Sequence, residues 1–180
     1  MARVLLIGYG NTLRGDDALG PMAVERLRPL LADLASATGS AVSPEVELEH
    51  CYQLAPELAA QLAAVDLVIF VDAAAEGKPG LVRVERLSPQ SSDAASSTHA
   101  ASLTHHVQPA ALLGLTIALY GRAPEAILVT GAGANFESGE GLSEYGSAAL
   151  NEVCRLVPSL VRDFLHPFRP AAAAGCSIPN

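Results

Sequence analysis

Asp16 and Asp17 sit side by side after a glycine-rich turn, and Asp72 closes an apolar run further along the chain. Two imidazoles, His105 and His106, stand just before a helical stretch that opens at Pro109. Two hard oxygen ligands and one nitrogen ligand, with a position left open, suit a catalytic divalent ion. Such an ion polarises a carbonyl and generates a bound hydroxide. Taken singly, each residue has a plainer role. Asp16 or Asp17 could cap a helix and meet its dipole, Asp72 could cap the turn after a strand, and a His-His pair in a loop is usually solvated. If Asp17, Asp72 and a histidine meet at one sheet edge, the metal reading is the stronger one.

Other chemistries fit less well. Gly8-Tyr-Gly10 follows a strand, as in a dinucleotide site, but Leu13 stands where a third glycine is needed. The acidic residue expected about 20 residues further on would fall within the first helix. No Gly-Lys-Ser/Thr sequence follows the turn, and G-x-S-x-G, H-E-x-x-H and C-x-x-C are all absent. Cys51, Cys154 and Cys176 are widely spaced and odd in number, which indicates neither a disulfide framework nor a thiolate zinc site.

The elements that must position these groups follow from hydrophobic periodicity. Val4 to Ile7 is a buried strand, and Met22, Val24, Leu27 and Leu31 form a helical stripe that Pro29 is expected to kink or end. Val46 to His50 alternates as a second strand, and Pro56 to Ala64 reads as a short crossover helix. Leu67 to Val71, ending in Asp72, has the continuous β-branched character of a central parallel strand. Too few residues separate Asp72 from the alternating segment Leu81 to Leu87 for a parallel crossover. That fourth strand is therefore expected to run antiparallel at the sheet edge. Ser88 to Thr104 reads as a long mobile loop, of a length that is usually functional or disordered. Then come a helix from Pro109 to Gly121, a last strand Ala126 to Thr130, and a helix capped by Ser143 and interrupted at Pro158.

This alternation predicts an α/β fold with three α/β/α layers and a mostly parallel, twisted five-stranded sheet bearing one antiparallel edge strand. A single catalytic domain over residues 1–169 is expected, with 170–180 a disordered tail. With strand order 2-1-3, Asp17 and Asp72 would share the crevice at the carboxyl ends of the strands.

Half of the 180 residues are hydrophobic and 17% are charged, as in a globular chain, and the net charge is −8 with no Lys/Arg cluster. That argues against nucleic acid and against an anionic membrane surface. No apolar run nears the ~20 residues of a membrane span. The first apolar segment is cut too early by Gly8, Gly10 and Asn11 for a signal peptide. A cytoplasmic protein is expected.

Gly8-Tyr-Gly10-Asn11-Thr-Leu-Arg-Gly15-Asp16-Asp17-x-Leu-Gly20 resembles the signature of the hydrogenase maturation endopeptidases, which trim nickel-iron hydrogenase large subunits. The likeness runs on through Cys51-Tyr-Gln-Leu-x-Pro-Glu-Leu, Val68-Ile-Phe-Val-Asp72-Ala, Thr104-His-His-Val, Leu119-Tyr-Gly121 and Phe136-Glu-x-Gly-Glu-Gly-Leu-Ser143. These later segments are most similar to the branch serving NAD-linked, bidirectional hydrogenases. Ala18 departs from the pattern, which often has glycine there.

The resemblance implies that Asp17 and Asp72 are catalytic and bind a metal, with a histidine as third ligand. Alignment on the x-His-x-Leu pattern favours His105, and counting back from Gly121 favours His106. It further implies cleavage of a C-terminal extension from the large-subunit precursor after nickel insertion. Nickel would come with the substrate, with no permanently bound metal, and the protease would be a monomer. A site of two carboxylates and an imidazole would complete its coordination with the substrate's soft cysteine sulfurs. The attacking water would be metal-bound or taken up by Asp17 as base. Two rival functions stand beside this one: a small-substrate metallohydrolase, and a noncatalytic binding protein or chaperone that senses the nickel-loaded state.

Overall fold

The protein is described by a computed structural model covering residues 2–37, 45–89 and 107–165. β1 (Arg3–Tyr9) leads through a 3-10 turn (Gly15–Ala18) into α1 (Leu19–Ala37). β2 (Glu45–Cys51) is followed by a 3-10 turn (Pro56–Leu58), α2 (Ala59–Ala64) and β3 (Leu67–Ala74). β4 (Val82–Leu87), α3 (Pro109–Tyr120), β5 (Glu125–Ala132) and α4 (Glu144–Leu165) complete the order.

The five strands lie in the order β2-β1-β3-β5-β4. All neighbours are parallel except β4, which runs antiparallel along β5 from Val82 opposite Gly131 to Leu87 opposite Ala126. The short connection after β3 turns the chain straight back, as its length requires. Every second residue of β1 and β3 faces the same layer. Val4, Leu6, Leu67, Ile69 and Val71 pack against α1 and α4. Leu5, Ile7, Val68 and Phe70 pack with residues of α2 and α3 on the other side. Both faces of the central strands are buried, so they carry unbroken apolar runs.

Three sequence expectations need adjustment. α1 passes through Pro29 to Ala37, and α4 passes through Pro158 to Leu165, each as one helix. Both prolines are tolerated where the helix faces a packed neighbour on other sides: Pro29 is exposed, while Pro158 is half-buried beside Val157 and Val161. β3 does not end at Asp72 but runs to Ala74, because β5 continues alongside it to Ala132. Residues 90–106, which hold most of the Ser88 to Thr104 loop, and the tail after residue 165 lie outside the described residues. No helix among the described residues is long and apolar enough to cross a membrane.

Chain order reverses beside β1, whose neighbours are β2 and β3, and a crevice opens there at the carboxyl ends of the strands. Helix α1 starts hard against it. A Cβ on Gly20 would lie 2.4 Å from the Tyr9 carbonyl oxygen and 2.6 Å from that of Val71. Only glycine lets the first turn of α1 approach both strands so closely. Gly20→Ala is therefore expected to cost at least ~2 kcal/mol of stability through overpacking against backbone that cannot yield. Urea unfolding of the two proteins measures it, and an unchanged midpoint would contradict this account of the packing.

Candidate functional site

The acidic pair divides its labour. Asp16 is fully buried, and its carboxylate accepts four hydrogen bonds. Oδ2 takes the Ala134 N–H at 2.7 Å, the Asn135 N–H at 2.9 Å and the Ser143 hydroxyl at 2.7 Å; Oδ1 takes the Ser143 N–H at 2.7 Å. Burial alone would raise its pKa, but these donors outweigh burial and hold it below the ordinary carboxylate value. Ser143 in turn accepts the Gly146 N–H at 3.0 Å and so caps α4. The 3-10 turn is thus anchored to the loop after β5 and to the start of α4. Gly15 N–H to the Gly139 carbonyl and Gly139 N–H to that of Leu13, both 2.9 Å, add a backbone strap.

With Asp16 turned inward, Asp17 is left half-buried at the crevice. Its Oδ2 accepts the Asn11 N–H at 3.0 Å. Asn11 itself is fixed by the Leu13 N–H, 2.9 Å from its Oδ1, so one residue shapes the turn and orients the carboxylate. Ala18, where the resembled pattern has glycine, is buried within the 3-10 turn and disturbs neither aspartate's bonds.

Asp72 approaches from β3. Its Oδ1 accepts the Ala73 N–H at 2.8 Å, and Tyr9, one residue beyond the Gly8–Val71 pair, lies beside it on β1. Burial pushes the Asp72 carboxyl up to about 7; the neighbouring Tyr9 hydroxyl and the Ala73 N–H oppose the rise, and the negative charge of Asp17 adds to it. Burial, then the charge of Asp72, also drives the Tyr9 phenol well above its ordinary value, so it stays a donor. Two carboxylates within electrostatic reach of each other are costly when both are ionised, and a divalent ion near both would relieve that cost.

His105 and His106 both lie outside the described residues, which resume at Val107 against the α2/α3 layer. Among the described residues, no three His, Cys, Asp or Glu side chains converge to hold a metal. His50 lies elsewhere, 3.6 Å from Glu25. The Cys51 thiol is pushed up to about 11, chiefly by burial and then by Glu49, which disfavours a thiolate ligand there. Asp17, in the turn after β1, and Asp72, on the adjacent strand β3, lie near enough for the charge of one to bear on the pKa of the other. Sequence reasoning passed over Tyr9 and Asn11, although alternation along β1 and the parallel register with β3 could have put Tyr9 beside Asp72.

No protein-family model matches the chain, and no curated protein sequence does. Solved structures do. HycI of Thermococcus kodakarensis KOD1, a NiFe hydrogenase maturation protease, is 24% identical over 89% of this chain and 93% of its own, with a TM-score of 0.63. The hydrogenase maturating endopeptidase HybD of E. coli is 22% identical over 90% of this chain and 93% of its own, with a TM-score of 0.62. A hydrogenase 2 maturation peptidase from a Thaumarchaeota archaeon is 22% identical over 88% and 97%, with a TM-score of 0.54. The chain shares their three-layer α/β fold.

Two substitutions separate anchor from site. Asp16→Asn sets an NH2 group against buried backbone N–H groups that can only donate and is expected to cost about 3 kcal/mol or more in urea unfolding. A near-neutral Asp16→Asn would contradict its anchoring role. For Asp72, a folded-state pKa near 7 against an unfolded value of 3.8 means that the folded chain binds more protons between those limits. The stability Asp72 contributes is thus complete at low pH and is lost as pH rises through about 7. Asp72→Asn is expected to raise the Tm at pH 8 and to leave it close to wild type at pH 4. A lower Tm for the variant at pH 8 would refute the strained-carboxylate account.

Proposed function

We propose that this chain is a hydrogenase maturation endopeptidase, which removes the C-terminal extension of a nickel-iron hydrogenase large-subunit precursor once nickel is in place. The observation that supports the reading is the adjacency of β1 and β3, which sets Asp17 in the turn after one strand and Asp72 near the end of the other, within electrostatic reach. Its support from relatives is the fold shared with solved maturation proteases, together with the Gly8-to-Gly20 motif that leads into the pair.

In this reaction the nickel belongs to the substrate. Asp17 and Asp72, with His105 or alternatively His106, bind it and so hold the precursor with its scissile peptide over the crevice. Two carboxylates and an imidazole form a hard set, which leaves the soft positions of the ion to sulfur from the precursor. An empty precursor gives the site no ion to grip, and the repulsion between Asp17 and Asp72 goes unrelieved. Specificity for the loaded state follows from that difference in binding. Once the peptide is positioned, its attack by water gains from proximity and from a carboxylate or ion that draws off the water's proton. The segments from Cys51 to Leu58 and from Phe136 to Ser143 support assignment to NAD-linked hydrogenases, and a cytoplasmic monomer accords with such a partner.

Incubation with nickel-loaded and nickel-free precursor tests the proposal. Cleavage of the loaded form alone is expected, with Asp17→Asn and Asp72→Asn each at least ~10²-fold slower. No cleavage of either form would overturn the protease reading. Tight binding of loaded precursor that survives both substitutions, without cleavage, would favour a noncatalytic sensor instead. Chelator-resistant, stoichiometric zinc in the purified protein would speak for a resident ion and against sensing of the substrate's nickel.

A further inference from the structure

Leu13, Leu81 and Tyr145 are large apolar side chains that remain 59%, 58% and 54% exposed. They stand on the turn after β1, the turn before β4 and the first turn of α4. Single exposed hydrophobes are ordinary on a protein surface. These are set apart by how firmly each is presented. The Leu13 N–H donates to Asn11 Oδ1 and the Leu13 carbonyl accepts the Gly139 N–H, both at 2.9 Å. The Leu81 N–H donates to the Lys78 carbonyl at 3.2 Å, and the Leu81 carbonyl accepts the Ala132 N–H at 2.8 Å. Tyr145 lies over Gly80, the residue before Leu81, where a Cβ would come 3.5 Å from the Tyr145 ring. One bonded frame joins all three to the site. Gly139 straps Leu13 and Gly15, and Ser143, two residues before Tyr145, holds Asp16 beside Asp17.

We infer that this rim is the docking surface for the precursor polypeptide, with Leu13, Leu81 and Tyr145 as its apolar anchors. The inference rests on the proposed function and adds the surface that grips the substrate outside the ion site. Leu13 and Asp17 belong to one tight turn, in which the Asp17 N–H donates to the Arg14 carbonyl at 3.1 Å. A polypeptide whose ion reaches Asp17 therefore passes close to Leu13. Specific protein interfaces cover about 800 Å² on each partner, far more than a few metal ligands supply. Anchors on a fixed main chain lose little freedom on binding, and a tyrosine such as Tyr145 is a typical hot spot. Charge selects the occupant. Glu137, Glu140 and Glu144 are exposed along the same rim, so a second copy or an anionic lipid surface would meet like charge. A polypeptide that carries a cation would not. Another exposed apolar group, Ile117, Leu119 and Tyr120, stands at the end of α3 toward the amino end of β5, away from the crevice.

Leu13→Ser, Leu81→Ser and Tyr145→Ser in the full chain, singly and together, test this, with Leu119→Ser as the control. Stopped-flow binding of nickel-loaded precursor and its cleavage are the readouts. Each rim variant is expected to raise Kd and KM ~10-fold, and the triple variant further, with kcat and Tm as in the wild type. Leu119→Ser, Leu13→Met and Tyr145→Phe are expected to bind as the wild type does. An unchanged Kd in the triple variant would overturn the inference, and so would an equal loss in Leu119→Ser. Equal losses in Leu13→Met and Tyr145→Phe would mark a structural effect and overturn it too. Self-association of the wild type that the triple variant abolishes would make the rim an interface between copies, against the inference. If the wild type neither binds nor cleaves the precursor, the proposed function fails and the inference with it. If the wild type cleaves and the triple variant binds equally well, only the inference fails.

Discussion

A buried carboxylate with four donors, Asp16, holds the site in place. It joins three stretches that are distant in sequence: the turn after β1, the loop after β5 and the capped start of α4. Charge-assisted bonds of this kind are about twice as strong as neutral ones, and losing the acceptor would strand several buried donors at once. Gly146 and Gly133 crowd the same carboxylate, since a Cβ on the first would fall 2.1 Å from Oδ1 and on the second 2.6 Å from the Asp16 Cβ. The direction of Asp17 follows from this anchor. In a tight 3-10 turn, adjacent side chains diverge, so fixing one inward sends the next to the crevice.

Asp17 and Asp72 show the opposite economy. Asp72 is held where burial and a neighbouring negative charge disfavour its ionised form, and the Ala73 N–H bond only partly compensates. Stability is lower for it near neutral pH, and that kind of strain collects where function requires it. The glycines make the arrangement possible: Gly20 lets α1 start against β1 and β3, and Gly10 at φ +140° lets the turn pass over the Asp17 backbone. An anion would be repelled from this edge. A cation would be welcomed.

Much of this was legible in the sequence. The antiparallel edge strand and the Ser143 cap follow from connection length and capping chemistry, which are local properties, whereas the order 2-1-3 enters only as a condition, which the structure meets. The prolines at 29 and 158 do not end their helices, because helix continuity depends on packing along the rest of each helix, which a local rule does not include. Asp72 was read as the end of its strand because the apolar run stops there. Pairing with the small residues Gly131 and Ala132 carries β3 two residues further. The different fates of Asp16 and Asp17 were hidden, since one faces donors supplied by residues 134, 135 and 143. A lone tyrosine at the end of an apolar strand, such as Tyr9, resembles any core aromatic until the facing strand is known.

The central claim is that Asp17 and Asp72 jointly grip an ion carried by the partner. Nickel X-ray absorption on loaded precursor, alone and with a slow-cleaving excess of this protein at low temperature, tests it most directly. The account predicts added oxygen or nitrogen ligands at about 2.1 Å with the wild-type chain, absent with Asp17→Asn/Asp72→Asn. An unchanged nickel shell in a complex that goes on to cleave would contradict it.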